Sequence, residues 1–174
     1  MATNQFRAMQ ERGNHEVGTL KSLQVRTLVN GAVAEVDMDN YILGEVSFNA
    51  NGVRVIKPLS DSTKKGYLVA TPERLTMGEN LVDFFNGKGE DVRPVIQEEG
   101  VVFETSAFSL NSGVSAIKNG LVAHFDVATK KFILSDASSA HADYAAAHDK
   151  YIVTGEESYE SRWLGKPTVT LEVQ

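Results

Sequence analysis

Few side chains in this sequence have the means to do chemistry, and their spacing limits what they can do. His141, Tyr144, Ala145 and His148 stand at intervals of three, four and seven residues, which fall on one face of a helix. Asp143 and Asp149 lie beside them, so the segment offers the nitrogen and oxygen donors of a metal site. Helical spacing argues against one. Two imidazoles seven residues apart are separated by about 10 Å along the axis, too far to share an ion. A compact zinc site takes histidines at i and i+4 plus a third ligand, and the sequence has no such pair. The expectation is a solvated or partner-facing helix, with no metal.

The remaining candidates are weaker. His15 sits in a polar N-terminal stretch, and His124 lies between Ala123 and Phe125 in a strand-like run. Neither has a spaced partner for a nucleophile–base pair. No Gly-x-Ser-x-Gly, Walker or Rossmann glycine pattern is present. Gly87-Lys88-Gly89-Glu90 is like a phosphate loop only superficially, because no Ser/Thr or helix start follows its lysine, and a hairpin tip is expected there. Carboxylates cluster at Asp37 with Asp39, Glu98 with Glu99 and Glu156 with Glu157. A glycosidase needs two facing each other across a cleft of about 5–10 Å, whereas local doublets suit solvated turns. No catalytic residue, cofactor or metal is assigned, and the chain is expected not to be an enzyme.

Binding chemistry is better represented. Arg162-Trp163-Leu164 places the only tryptophan beside an arginine in a long polar connection, the composition of an interface anchor. Folding back of Trp163 as a lid on a sheet is the equal alternative. Phe6 and Met9 are isolated apolar residues in the polar stretch 1–20, where they would anchor an arm on a neighbouring subunit. Fraying of that terminus is the other reading. Trp163, Tyr159 and Tyr67 would form the platform of a carbohydrate-binding module.

These residues must be positioned by strands. Asn-Gly pairs stand at 30–31, 51–52, 86–87 and 119–120, each beside alternating apolar and polar residues. This dipeptide tolerates the positive φ of hairpin turns. Ser22–Val29 is expected to pair with Ala32–Val36, Tyr41–Phe48 with Val53–Ile56, Glu79–Phe85 with Glu90–Ile96, and Gly120–Asp126 with Lys131–Leu134. Val101–Phe108, Tyr151–Thr154 and Thr168–Val173 supply further strands. The alanine-rich run 138–148 predicts one short α-helix, with Asp136 or Ser138 as cap. The fold class is mainly β, built of antiparallel hairpins in a barrel or sandwich, with an extended N-terminal arm. Residues 1–20 form the arm and 21–174 a single β-rich domain.

A net charge of −6 over 174 residues disfavours binding nucleic acid through the overall field. No apolar run approaches the ~20 residues of a membrane helix, and the first residues lack a secretory core. The absence of cysteine excludes disulfides and thiolate chemistry, so stability must come from burial, strand pairing and partners.

Three stretches carry a family likeness: Gly66–Thr71 leading into Pro72-Glu73-Arg74-Leu75, Val102–Phe108, and Ile117–Ala123 through Lys131–Leu134. Across residues 20–135 the chain resembles the decoration, cement or head-stabilising proteins of tailed bacteriophages. The resemblance implies a virion structural protein, made in the host cytoplasm, that binds the capsid exterior. Its partner would be the major capsid protein, with homo-oligomers on the particle and no direct contact with nucleic acid or membrane. The run 138–148 departs from the simplest folds of that family. A tail-tube, head–tail connector or minor virion protein is the alternative within the virion.

Overall fold

Short alternating segments separated by glycine-bearing turns become strands when neighbours satisfy their backbone groups. A computed structural model describes residues 14–75, 80–155 and 166–174. Its strands are β1 (Gly18–Leu20), β2 (Ala32–Ala34), β3 (Leu43–Phe48), β4 (Arg54–Pro58), β5 (Tyr67–Val69), β6 (Asp91–Val92) and β7 (Pro94–Ile96). They continue as β8 (Val102–Thr105), β9 (Phe108–Leu110), β10 (Val122–Asp126), β11 (Lys131–Ser135), β12 (Lys150–Val153) and β13 (Val169–Val173).

Two sheets result. One has seven strands in the order β1-β8-β13-β12-β10-β11-β9, the other six in the order β6-β2-β4-β3-β5-β7. The protein is mainly β, as the turn chemistry predicts. The pairing is mixed, however: β2 runs parallel to β4 and β9 parallel to β11. β11, β12 and β13 alternate between buried and partly exposed residues, the period of a strand with one covered face. Residues of both sheets meet in one apolar core, among them Leu43, Ile56 and Leu68 from the smaller sheet and Phe103, Phe132 and Tyr151 from the larger. Phe103, Phe132 and Tyr151 pack edge-on or tilted, with centroids 5.1–5.8 Å apart.

Two of the four expected hairpins form. β3 and β4 pair with Phe48 opposite Arg54 across the Asn51-Gly52 turn, and β10 and β11 pair through residues 127–130. Ser22–Val29 does not pair with β2. Arg26, Thr27 and Leu28 lie along β7 instead, with a bridge from Thr27 to Val95. Leu81–Asp83 is a 3-10 turn rather than a strand. Its Asp83 carboxylate reaches back to the Asn80 amide at 2.9 Å.

The α-helix expected over 138–148 is replaced by two 3-10 turns, Ala137–Ser139 and Ala142–Tyr144. Ala140 and His141 between them are extended, with ψ of 151° and 148°. Bonds to other elements fix this path: the His141 amide donates to Ser135 Oγ at 3.2 Å, and the His148 amide to the Ser62 carbonyl at 2.8 Å. Alanine propensity is worth only tenths of a kcal/mol per residue, so such contacts override it.

Of the stretch 1–20, the structure describes residues from Asn14 onward, and these lie on the body. The His15 amide donates to the Val82 carbonyl, the Val17 amide to Ser106 Oγ, and β1 pairs with β8. Residues 18–28 run first along β8 and then along β7, and so tie the two sheets together.

Candidate functional site

Of the interaction residues named from the sequence, Phe6, Met9, Arg162 and Trp163 lie outside the described residues, as does Tyr159. Tyr67 is in β5, an inner strand between β3 and β7. The phosphate-loop look-alike is a tight turn: the Gly87 amide donates to the Glu90 carboxylate at 2.7 Å, and Gly89 has a φ of 86°. Of the acidic doublets, Glu156 and Glu157 lie outside the described residues, and members of the other two are tied to other segments of the fold. Asp37 accepts from the Lys88 amide, Glu98 from Arg26 at 2.6 Å, and Asp39 from the His15 ring at 2.6 Å. His15 also stacks on Phe85, with ring centroids 4.6 Å apart. Asp37, Asp39, His15 and Lys130 help line a cleft of about 200 Å³.

An open groove of about 1010 Å³ follows the β6 edge of the smaller sheet, lined by Arg74, Phe84, Asp91 and Arg93 among others. Beneath it lies a buried polar knot. Asn40 Nδ2 donates to the Thr71 carbonyl at 2.8 Å, and Asn86 Nδ2 donates to Asn40 Oδ1 at 3.0 Å. Arg93 Nε donates to the Ala70 carbonyl. These bonds engage the arginine and both amides in the fold, so the groove floor is structural.

Among the described residues, one group of exposed apolar side chains lies at the tip of the β3–β4 hairpin and on the neighbouring turn that carries Val29. Phe48 is 66% exposed, Val29 78% and Val53 44%. Arg54 joins them: its guanidinium sits 5.7 Å from the Phe48 ring centroid, and Nη1 donates to the Val29 carbonyl at 2.6 Å. The first residues of β3 are buried and the last two exposed, so the hairpin leaves the core as it approaches its turn. An aromatic ring held under an arginine, flanked by valines, has the makeup of an interface anchor. The sequence offered one sign of it, an aromatic residue and an arginine flanking an Asn-Gly turn.

The histidines do not line one helix face. His148 pairs with Asp149, whose other carboxylate oxygen accepts from the Gly66 amide at 2.6 Å. His141 instead stacks on His124 of β10, with centroids 5.2 Å apart, and Tyr144 meets the same ring edge-on. Asp143 lies beside them, and one ligand-type atom from each of His124, His141 and Asp143 falls within 4.8 Å of the others. His124 is fully buried, and burial, reinforced by the neighbouring His141, lowers its pKa. His124 and His141 stand seventeen positions apart on different elements, so no sequence spacing announces this meeting.

Fold and surface define a two-sheet mixed-β protein with an exposed aromatic–arginine cluster and, apart from it, a buried histidine stacked under a half-exposed one. Among the described residues no helix is long and apolar enough to cross a membrane. The chain belongs to the YonC prophage protein family, which matches residues 11–174. It is similar to the SPbeta prophage-derived uncharacterized protein YonC of Bacillus subtilis (strain 168), with 47% identity over 175 residues that cover 99% of this chain and 98% of that protein. No solved structure matches it. The protein is therefore of phage origin.

Proposed function

We propose that this protein is a non-enzymatic structural component of a phage particle, one that binds the capsid exterior and bridges major capsid subunits. The observation that carries the reading is the group of Phe48, Arg54 and Val53 at the hairpin tip with Val29 on the turn beside it, whose apolar side chains are exposed in the isolated chain. A monomer gains nothing by holding an aromatic ring and two valines in water, whereas a docking protein recovers that area on binding. Phage origin supports the setting, and a net charge of −6 suits a particle exterior better than a place beside packaged DNA.

In this role the protein works by area and mass action. Each copy buries surface between capsomers, and a binder selective for the mature shell stabilises that shell. The experiment mixes purified full-length chain with emptied capsids of the phage that encodes it and counts bound copies by quantitative mass spectrometry. Hundreds of copies per particle are expected. Six or twelve would replace decoration with a connector or tail-ring role, and none on capsids or intact particles would overturn the virion reading.

A further inference from the structure

Among the described residues, His124 alone has buried side-chain polar atoms without a hydrogen-bond partner, and both ring nitrogens are in that state. Buried polar groups are partnered as a rule, so an orphaned imidazole calls for an explanation. β10 fixes its place. His124 pairs with Ile133 of β11 on one side and Lys150 of β12 on the other, so its ring cannot swing out to water.

What faces that ring is donor chemistry. His141 stacks on it at an interplanar angle of 26°, and Asp143 follows two residues later. The carboxylates of Asp126 and Asp143 both act on the His124 ring as negative charges. The Lys150 ammonium lies over the Tyr144 ring, 5.2 Å from the centroid.

We propose that His124, His141 and Asp143 form a binding site for a divalent transition cation of the zinc type, with a fourth position left to water. Two imidazoles and a carboxylate are the donor set such ions accept. Bonds of about 2.0–2.1 Å place tetrahedral ligands roughly 3.3 Å apart, so the trio, whose atoms lie within 4.8 Å of one another, closes by at most about 1.5 Å. The movement falls to the surface turn, where the His141 and Asp143 side chains are 36% and 67% exposed. Within that turn the Asp143 amide donates to His141 Nδ1 over a long 3.3 Å. The bound ion would satisfy His124 and pin the 137–144 turns onto β10.

The test uses full-length, tag-free protein stripped with chelator, then titrated with zinc chloride by calorimetry and with cobalt chloride by visible absorption. One ion per chain is expected, with the intense d–d bands of tetrahedral cobalt and a rise in Tm on adding zinc. His141→Ala and Asp143→Asn, both on the exposed turn, should each weaken zinc binding at least about tenfold. His148→Ala should leave it unchanged. Absence of binding at about 1 mM zinc would overturn the site. So would binding that survives the His141→Ala/Asp143→Asn double variant, because the ion would then sit at a pair such as His15–Asp39. Neither result bears on capsid attachment, so this site and the proposed function stand or fall separately.

Discussion

Gly18 sits where the N-terminal stretch presses between the two sheets. A Cβ there would lie 2.1 Å from the Glu104 carbonyl oxygen and 2.5 Å from the Tyr41 ring, one of them backbone and the other a buried aromatic. Tyr41 cannot move aside easily. Its amide donates to the Val69 carbonyl in the smaller sheet, and its carbonyl accepts from Thr105 Oγ1 in the larger. It also has a φ of 55°, rare for a non-glycine residue. Gly18→Ala is expected to lower stability by about 2–3 kcal/mol, read from denaturant unfolding. Glu45 makes a gentler prediction. Partial desolvation raises its pKa, but the Ser60 hydroxyl and amide and the Lys57 ammonium lower it further, so it ends below the ordinary value. A depressed carboxylate stabilises the fold above the unfolded pKa and loses that contribution as pH falls through the folded one. Glu45→Gln should therefore cost stability near neutral pH and flatten the acid limb below about pH 4.5, while leaving stability unchanged once both forms are protonated. Thermal melts of both proteins from neutral pH downward check this. A mutant equally destabilised at all pH values would rule it out.

At the scale of elements, the Asn51-Gly52 hairpin shows what local sequence can specify. Asn49 Oδ1 accepts from the amides of Asn51 and Val53, and Gly52 takes a φ of 74° with open space around it. Gly52→Ala meets no neighbour, so its cost is conformational alone, about 1 kcal/mol, and a denaturation midpoint shift of that size is expected. The other Asn-Gly pairs also mark turns, with positive φ at Asn30, Gly31 and Gly120, while at 86–87 the left-handed residue is Gly89. What the dipeptide did not reveal is which strands its flanks join. Gly31 closes a turn on the Leu28 carbonyl, but residues 26–28 then follow β7, because the chain there is needed to cover that edge. The run 138–148 misleads for a related reason. A segment of about eleven residues is too short to be helical on its own, so the Ser135 hydroxyl, the Ser62 carbonyl and the His124 ring decide its path. Each of these lies far away in sequence or on another element, where periodicity carries no information.

At the scale of the molecule, strand content was legible and topology was not. Alternation reports a covered face, but the parallel pairings of β2 with β4 and β9 with β11 are set by long-range packing. The same packing joins the sheets through a buried chain of bonds, from Tyr151 Oη to Gln97 Oε1 at 2.6 Å and from Gln97 Nε2 to the Gly66 carbonyl. With one shared core, the two sheets pack as a single body. The proposed docking cluster stands outside that core, so attachment and stability should separate there. Replacing Phe48 and Val29 together by serine removes exposed apolar area and no buried contact, and stability should change by less than about 0.5 kcal/mol. Attachment should respond differently, because aromatic anchors dominate interfaces, and losing Phe48 alone is expected to weaken binding by about 2 kcal/mol or more, some thirtyfold. Co-sedimentation of the double variant with emptied capsids, beside calorimetric melts of the free chain, reads both quantities. Wild-type binding by a variant of unchanged Tm would show that the hairpin tip is not the surface that touches the particle.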